Sequence, residues 1–174
     1  QGAIAGGIEA IGGPFTLVDE TGKTVTDKDV ITKPSLLYFG YTFCPDVCPL
    51  DNARNAEAIY QLDERGYDVT PVFISVDYIR DTPELLAQFT DVMHPRMIGL
   101  TGSEEQIRAA SKAYRTYFKM KNPETDPYFL IDHSTQAYLT MPGDVGFVEY
   151  FNRDVTPEDM ADRIACFVDA WKAM

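Results

Sequence analysis

Leu36-Leu37-Tyr38-Phe39 runs without a polar break into Gly40, and two cysteines follow, Cys44 and Cys48, with three residues between them and a proline after each. The apolar run reads as a buried strand that stops at the glycine. Pro49 is the sharpest constraint. In a helix interior it would lack an N–H and its ring would clash with the carbonyl of Pro45, so it belongs in a first helical turn. Cys48 is then expected at the N-cap and Cys44 in the turn before it. Both sulfurs lie just beyond a strand and close to a helix N-terminus, where partial positive charge favours thiolate over thiol.

The rest of the chain supplies partners for that strand. Phe15-Thr16-Leu17-Val18 and Lys23-Thr24-Val25-Thr26 flank Asp19-Glu20-Thr21-Gly22, a hairpin pattern. A helix is expected from Pro49 to Arg65, with Gly66 ending it. Val69 to Val76 is a second buried strand. Thr82-Pro83-Glu84 opens a helix with a cap, an N1 proline and an acidic first turn. Met97 to Leu100 is a short strand, and Ser103 to Gln106 is a capping box that opens a third helix. Residues 119–126 read as a loop and Tyr128 to Asp132 as a strand. Ala137 to Met141 and Phe147 to Phe151 form a second hairpin. Thr156-Pro157-Glu158 caps a last helix with the stripe Met160, Ile164, Phe167, Val168 and Trp171. Strands alternating with helices predict an α/β fold, a central mixed sheet flanked by helices. A cysteine turn between a central strand and its helix is the thioredoxin-like arrangement. An N-terminal β-hairpin and a β-hairpin inserted before the last helix complete it. Residues 1–13, rich in Gly and Ala, are expected as a flexible lead-in to a single domain over residues 14–174. Because the chain starts at Gln1, trimming of an N-terminal anchor or signal is expected.

A formal charge of −12 argues against nucleic acid, whose phosphates demand a basic face, and against direct contact with an anionic membrane. Three cysteines are too few for a disulfide-stapled scaffold, and no apolar run reaches the length of a membrane span.

Cys44 and Cys48 admit three chemistries: a structural pair, a redox dithiol, or two ligands of a metal. A redox dithiol usually has two residues between its cysteines, and this pair has three. A metal needs a further ligand, and the chain has two histidines. His133 follows an expected strand end, and strand ends of an α/β sheet converge on the edge that holds the first strand-to-helix turn. His94 lies before Pro95 at a helix end and reads as a satisfied surface or capping residue. Two thiolates and an imidazole suit Cu(I), and Zn(II) if a fourth ligand joins. Oxygen donors nearby are Asp46, Asp77 and Asp132. A peroxidase-like cysteine helped by Thr42 is disfavoured by the doubled cysteines. Cys166 lies off the apolar stripe of the last helix and reads as a spare thiol, able to cross-link chains if exposed. The scattered methionines read as core filling.

The stretch from Tyr38 to Pro49, together with Ser75-Val76-Asp77, Arg80-Asp81-Thr82-Pro83, Ile131-Asp132-His133-Ser134 and Gly146 to Phe151, resembles the SCO/SenC family of copper chaperones in cytochrome c oxidase assembly. The resemblance implies a thioredoxin-like domain held by an N-terminal helix on the periplasmic face of a bacterial inner membrane, or in the mitochondrial intermembrane space. It implies one copper, Cu(I) or Cu(II), bound by Cys44, Cys48 and His133, with Asp77 and Asp132 behind them. It implies partners: cytochrome c oxidase subunit II, other copper chaperones and thiol reductases. Subunit II would receive copper at its binuclear site or have that site's disulfide reduced. Family members often carry His before the first cysteine, where this chain has Phe43. The alternative is a thiol-disulfide oxidoreductase working through Cys44 and Cys48 alone, for which His133 is dispensable.

Overall fold

The protein is described by a computed structural model over residues 11–44 and 47–174. Its elements are β1 (Thr16–Asp19), β2 (Thr24–Thr26), α1 (Asp27–Val30), β3 (Ser35–Gly40), α2 (Val47–Glu64), β4 (Thr70–Ser75), α3 (Pro83–Met93), β5 (Ile98–Thr101), α4 (Glu104–Ala113), β6 (Phe118–Met120), β7 (Ile131–His133), β8 (Ala137–Met141), β9 (Gly146–Phe151) and α5 (Pro157–Lys172).

Seven strands form one mixed sheet in the order β2-β1-β5-β4-β3-β8-β9. β3, β4 and β5 are parallel, whereas the outer strands β1, β2, β8 and β9 pair antiparallel with their neighbours. All six residues of β3 are buried, as a strand covered on both faces requires. Its alternate side chains feed two cores. Leu37 and Phe39 join Ile107 and Ala110 of α4 and its C-cap Tyr114. Leu36 and Tyr38 join Ile59 and Leu62 of α2, Leu86 of α3, and Ile164 and Val168 of α5. Helices therefore cover both faces, and the fold is thioredoxin-like as expected.

The helix starts obey local chemistry. Thr82, Ser103 and Thr156 each accept, through the side-chain oxygen, the amide three residues on, which satisfies one orphan donor per helix. Three boundaries differ from expectation. α2 begins at Val47, so Cys48 lies in its first turn and is not its N-cap. Pro49 still fits, because the first four amides of a helix lack intrahelical partners. The short α1 carries no periodic pattern, yet its start is fixed by the Asp29 carboxylate, which accepts the Thr26 amide at 2.9 Å and the Thr26 hydroxyl at 3.2 Å. The chain before Ile131 is not strand. Instead β7 pairs with β6, which overlaps the start of the stretch expected as loop, to make a two-stranded ribbon apart from the main sheet. Of the expected lead-in, residues 1–10 lie outside the described residues. Gly12 is held, its amide donating to the Ala113 carbonyl at 2.7 Å. Its φ of 89° and the 3.4 Å gap from a built Cβ to the Phe147 Cβ suit a glycine there.

Candidate metal centre at the cysteine turn

Cys44 follows β3 and is buried in the same core as Tyr41, Phe129 and Ile131. Its amide donates to the Tyr41 carbonyl at 3.4 Å, which closes the turn. Cys48 lies in the first turn of α2, four positions on; Pro45 and Asp46, the latter an expected oxygen donor, lie outside the described residues.

His133 ends β7. Its ring stands edge-on to Tyr41 at 5.7 Å and to Tyr38 at 6.2 Å, both at 89°. Tyr41 belongs to the cysteine turn, so the histidine from the ribbon meets that turn. The Tyr41 hydroxyl also accepts the Ile131 amide at 3.1 Å. One side chain thus fastens the ribbon to the turn, from which its backbone closes the loop on Cys44. The route differs from the expected one, since His133 arrives on the ribbon and not on a strand of the main sheet. Its Nδ1 lies 2.8 Å from the Ser134 carbonyl. A carbonyl oxygen only accepts, so Nδ1 carries a proton, which makes Nε2 the ring nitrogen suited to ligate a metal.

The carboxylates expected behind the site are placed differently from each other. Asp77 is fully buried. It accepts the amides of Ile79 and Arg80 and pairs with Arg80 Nε at 2.6 Å. Its oxygens are committed to that neighbour. Asp132 is exposed and faces Lys121 at 3.3 Å, on the opposite side of β7 from His133, as strand alternation dictates. His94 is remote from the turn: it is the C-cap of α3, buried, with Nε2 on Asp63 at 2.8 Å and Nδ1 accepting the Arg96 amide. Cys166 is exposed on α5.

Two groups have no assigned role in the sequence reading. The Arg80 guanidinium lies 3.6 Å from the Phe129 ring centre and 4.7 Å from that of Phe43, the residue before Cys44. Its Nη2 is buried with no hydrogen-bond partner among the described residues. Asp81 accepts the Thr42 amide at 3.0 Å, the Thr42 hydroxyl, and the Ser75 hydroxyl at 2.6 Å. Burial raises its carboxyl above the ordinary value, while the bonds from Ser75 and Thr42 pull the other way. The sequence shows only a charged pair, Arg80-Asp81, five residues beyond the end of β4, and nothing in that spacing encodes the contacts either one makes.

The SCO1/SenC family model matches residues 5–169. The chain belongs to the SCO1/SenC family. It is 64% identical over 160 residues to protein SenC of Rhodobacter capsulatus, a match covering 92% of this chain and 72% of SenC. It is 43% identical over 159 residues to the mitochondrial SCO1 homolog 1 of Arabidopsis thaliana, covering 91% of this chain but 47% of that protein. The chain therefore spans about half the length of that mitochondrial relative. Among solved structures, Arabidopsis thaliana ScoI with copper bound superposes with a TM-score of 0.86 at 40% identity, covering 92% of this chain and 99% of that one.

Proposed function

We propose that this SCO1/SenC protein is a copper metallochaperone in cytochrome c oxidase assembly, holding one copper through Cys44, Cys48 and His133. The observation that carries the proposal is the packing of the His133 ring on Tyr41, within the turn that bears Cys44. Support also comes from the donor set: two thiolates with a neutral imidazole suit Cu(I), which favours soft ligands at low coordination number. Copper-bound relatives of the same fold add to it.

The protein's part is preparation. Ser134 fixes the ring tautomer through its carbonyl, and Tyr41 and Tyr38 fix the ring plane. Thiols lose their protons on loading, so uptake weakens as acidity rises. Three ligands leave a side from which an acceptor's own ligands can enter, and copper then leaves by ligand exchange. The acceptor in this proposal is oxidase subunit II, and the setting is the periplasmic face of a bacterial membrane. Asp77 serves indirectly, by fixing Arg80 against Phe43. A thiol-disulfide exchange role for Cys44 and Cys48 would need no histidine.

His133→Ala separates the two. Copper(I) affinity in a chelator competition should fall more than about 100-fold, beyond the range typical of losing an outer-shell partner. Full retention of copper by the variant, with disulfide reduction intact, would leave only the dithiol chemistry standing.

A further inference from the structure

Residues 106–123 contain five of the chain's 15 Lys and Arg residues and no Asp or Glu, in a protein whose formal charge is −12. Arg108 and Lys112 lie one turn apart on α4, Arg115 follows the helix, and Lys119 and Lys121 lie on or after β6. Arg108, Lys112, Arg115, Thr116 and Tyr117 line a shallow depression of about 390 Å³. The Arg108 guanidinium is set in place by Glu104 at 2.8 Å, by the Tyr78 hydroxyl at 3.3 Å, and by the Phe118 ring. The Thr116 hydroxyl is buried without a partner among the described residues. Lys112 and Lys119 are exposed and form no ion pair among the described residues.

This strip adjoins the cysteine turn. Phe118 pairs with His133 and Lys119 with Asp132. Tyr117 and Ser134 exchange two hydrogen bonds at 2.9 Å, and the Ser134 carbonyl holds the His133 ring. Arg108 reaches Tyr78, the residue after Asp77. Phe43, Ile79, Tyr128 and Leu130 are exposed apolar side chains at or beside the residues that line the same site. An apolar centre with a charged rim is the anatomy of a protein–protein contact.

We propose that the basic strip from Arg108 to Lys121 is the docking surface for an acidic protein, the one with which the adjoining site exchanges copper; this rests on the metallochaperone proposal above. An acidic patch on a protein fits better than a lipid surface, because a local patch can face the strip alone, whereas an extended anionic plane opposes the whole body of charge −12. Charges at such a rim act on encounter rate and its salt dependence more than on the contact itself.

The test is stopped-flow transfer of copper(I) from the loaded chain to the apo, reduced soluble domain of oxidase subunit II, over a range of ionic strength. The parent rate should fall steeply with salt. Lys112→Glu/Lys119→Glu, with copper content equal to the parent's, should be about tenfold slower at low salt and nearly salt-independent. Identical rates and slopes for parent and variant overturn the docking surface and leave the chaperone proposal intact. No transfer from the parent overturns delivery to subunit II, and the partner assigned here with it. In a parallel arm, sedimentation with phosphatidylglycerol vesicles should recover neither protein. Recovery of the parent but not the variant assigns the strip to lipid and overturns the proposal.

Discussion

Two acidic side chains near the cysteine turn do opposite work. Asp77 is buried as one half of an ion pair whose other half, Arg80, is 12% exposed. Removing one partner of a buried pair leaves the other uncompensated, at a cost of about 3–5 kcal/mol. Arg80→Met should lower urea-unfolding stability by that amount. Adding Asp77→Asn, which keeps an acceptor for the two amides, should recover part of the loss, with a coupling of about 1 kcal/mol or more in the double-mutant cycle. Strict additivity would show that the pair does not stabilise the fold. Asp81, by contrast, has its carboxyl raised by burial above 3.8. An acid raised in the folded state contributes stability that is full below its unfolded value and is lost as pH rises through the folded one. As pH falls from neutral toward 3.8, the thermal midpoint of the parent should therefore gain on that of Asp81→Asn. Calorimetry across that window checks the sign, and a relative gain by the variant on acidification would contradict it.

The element most exposed to test is the β6–β7 ribbon. Its pairing is only three residues deep, and Tyr41 ties it to the cysteine turn. Tyr41→Phe keeps the ring against His133 but removes the oxygen that accepts the buried Ile131 amide, which should cost about 1–3 kcal/mol. Hydrogen exchange should then show faster exchange at Ile131 than at β3 or β4. Unchanged protection at Ile131 would mean that water or another group satisfies it. The ribbon is also where the sequence was hardest to read. β3, β4, α3, α4 and α5 were legible because each has either an unbroken apolar run or a cap followed by a helical stripe. Phe118-Lys119-Met120 has neither: a three-residue strand is made by its partner, not by its own pattern. The two cysteines and His133 could be singled out as the proposed ligands by residue type, because so few soft ligands compete. Arg80, Asp81 and Tyr41 could not, because their roles come from packing that no local spacing encodes.

At the scale of the molecule, 27 acidic groups against 15 basic ones leave the folded surface repelling itself. The described ion pairs are mostly half-exposed, such as Lys33–Asp68 and Arg65–Asp162, and such pairs contribute little. Moderate salt should therefore stabilise. Raising ionic strength from about 0.01 M to 0.15 M shortens the screening length from about 30 Å to about 8 Å, and the thermal midpoint should rise. A fall would mean that local pairs outweigh the net repulsion.

Because His133 is carried on a small appendage and not in the seven-stranded body, its loss should leave the architecture standing. On the proposed assignment of His133 as a copper ligand, variants at this position would lose copper and still express, purify and melt like the parent. Any survey of this protein that scores abundance or solubility alone will pass them as healthy, so harmful changes at this position have to be sought by following the metal.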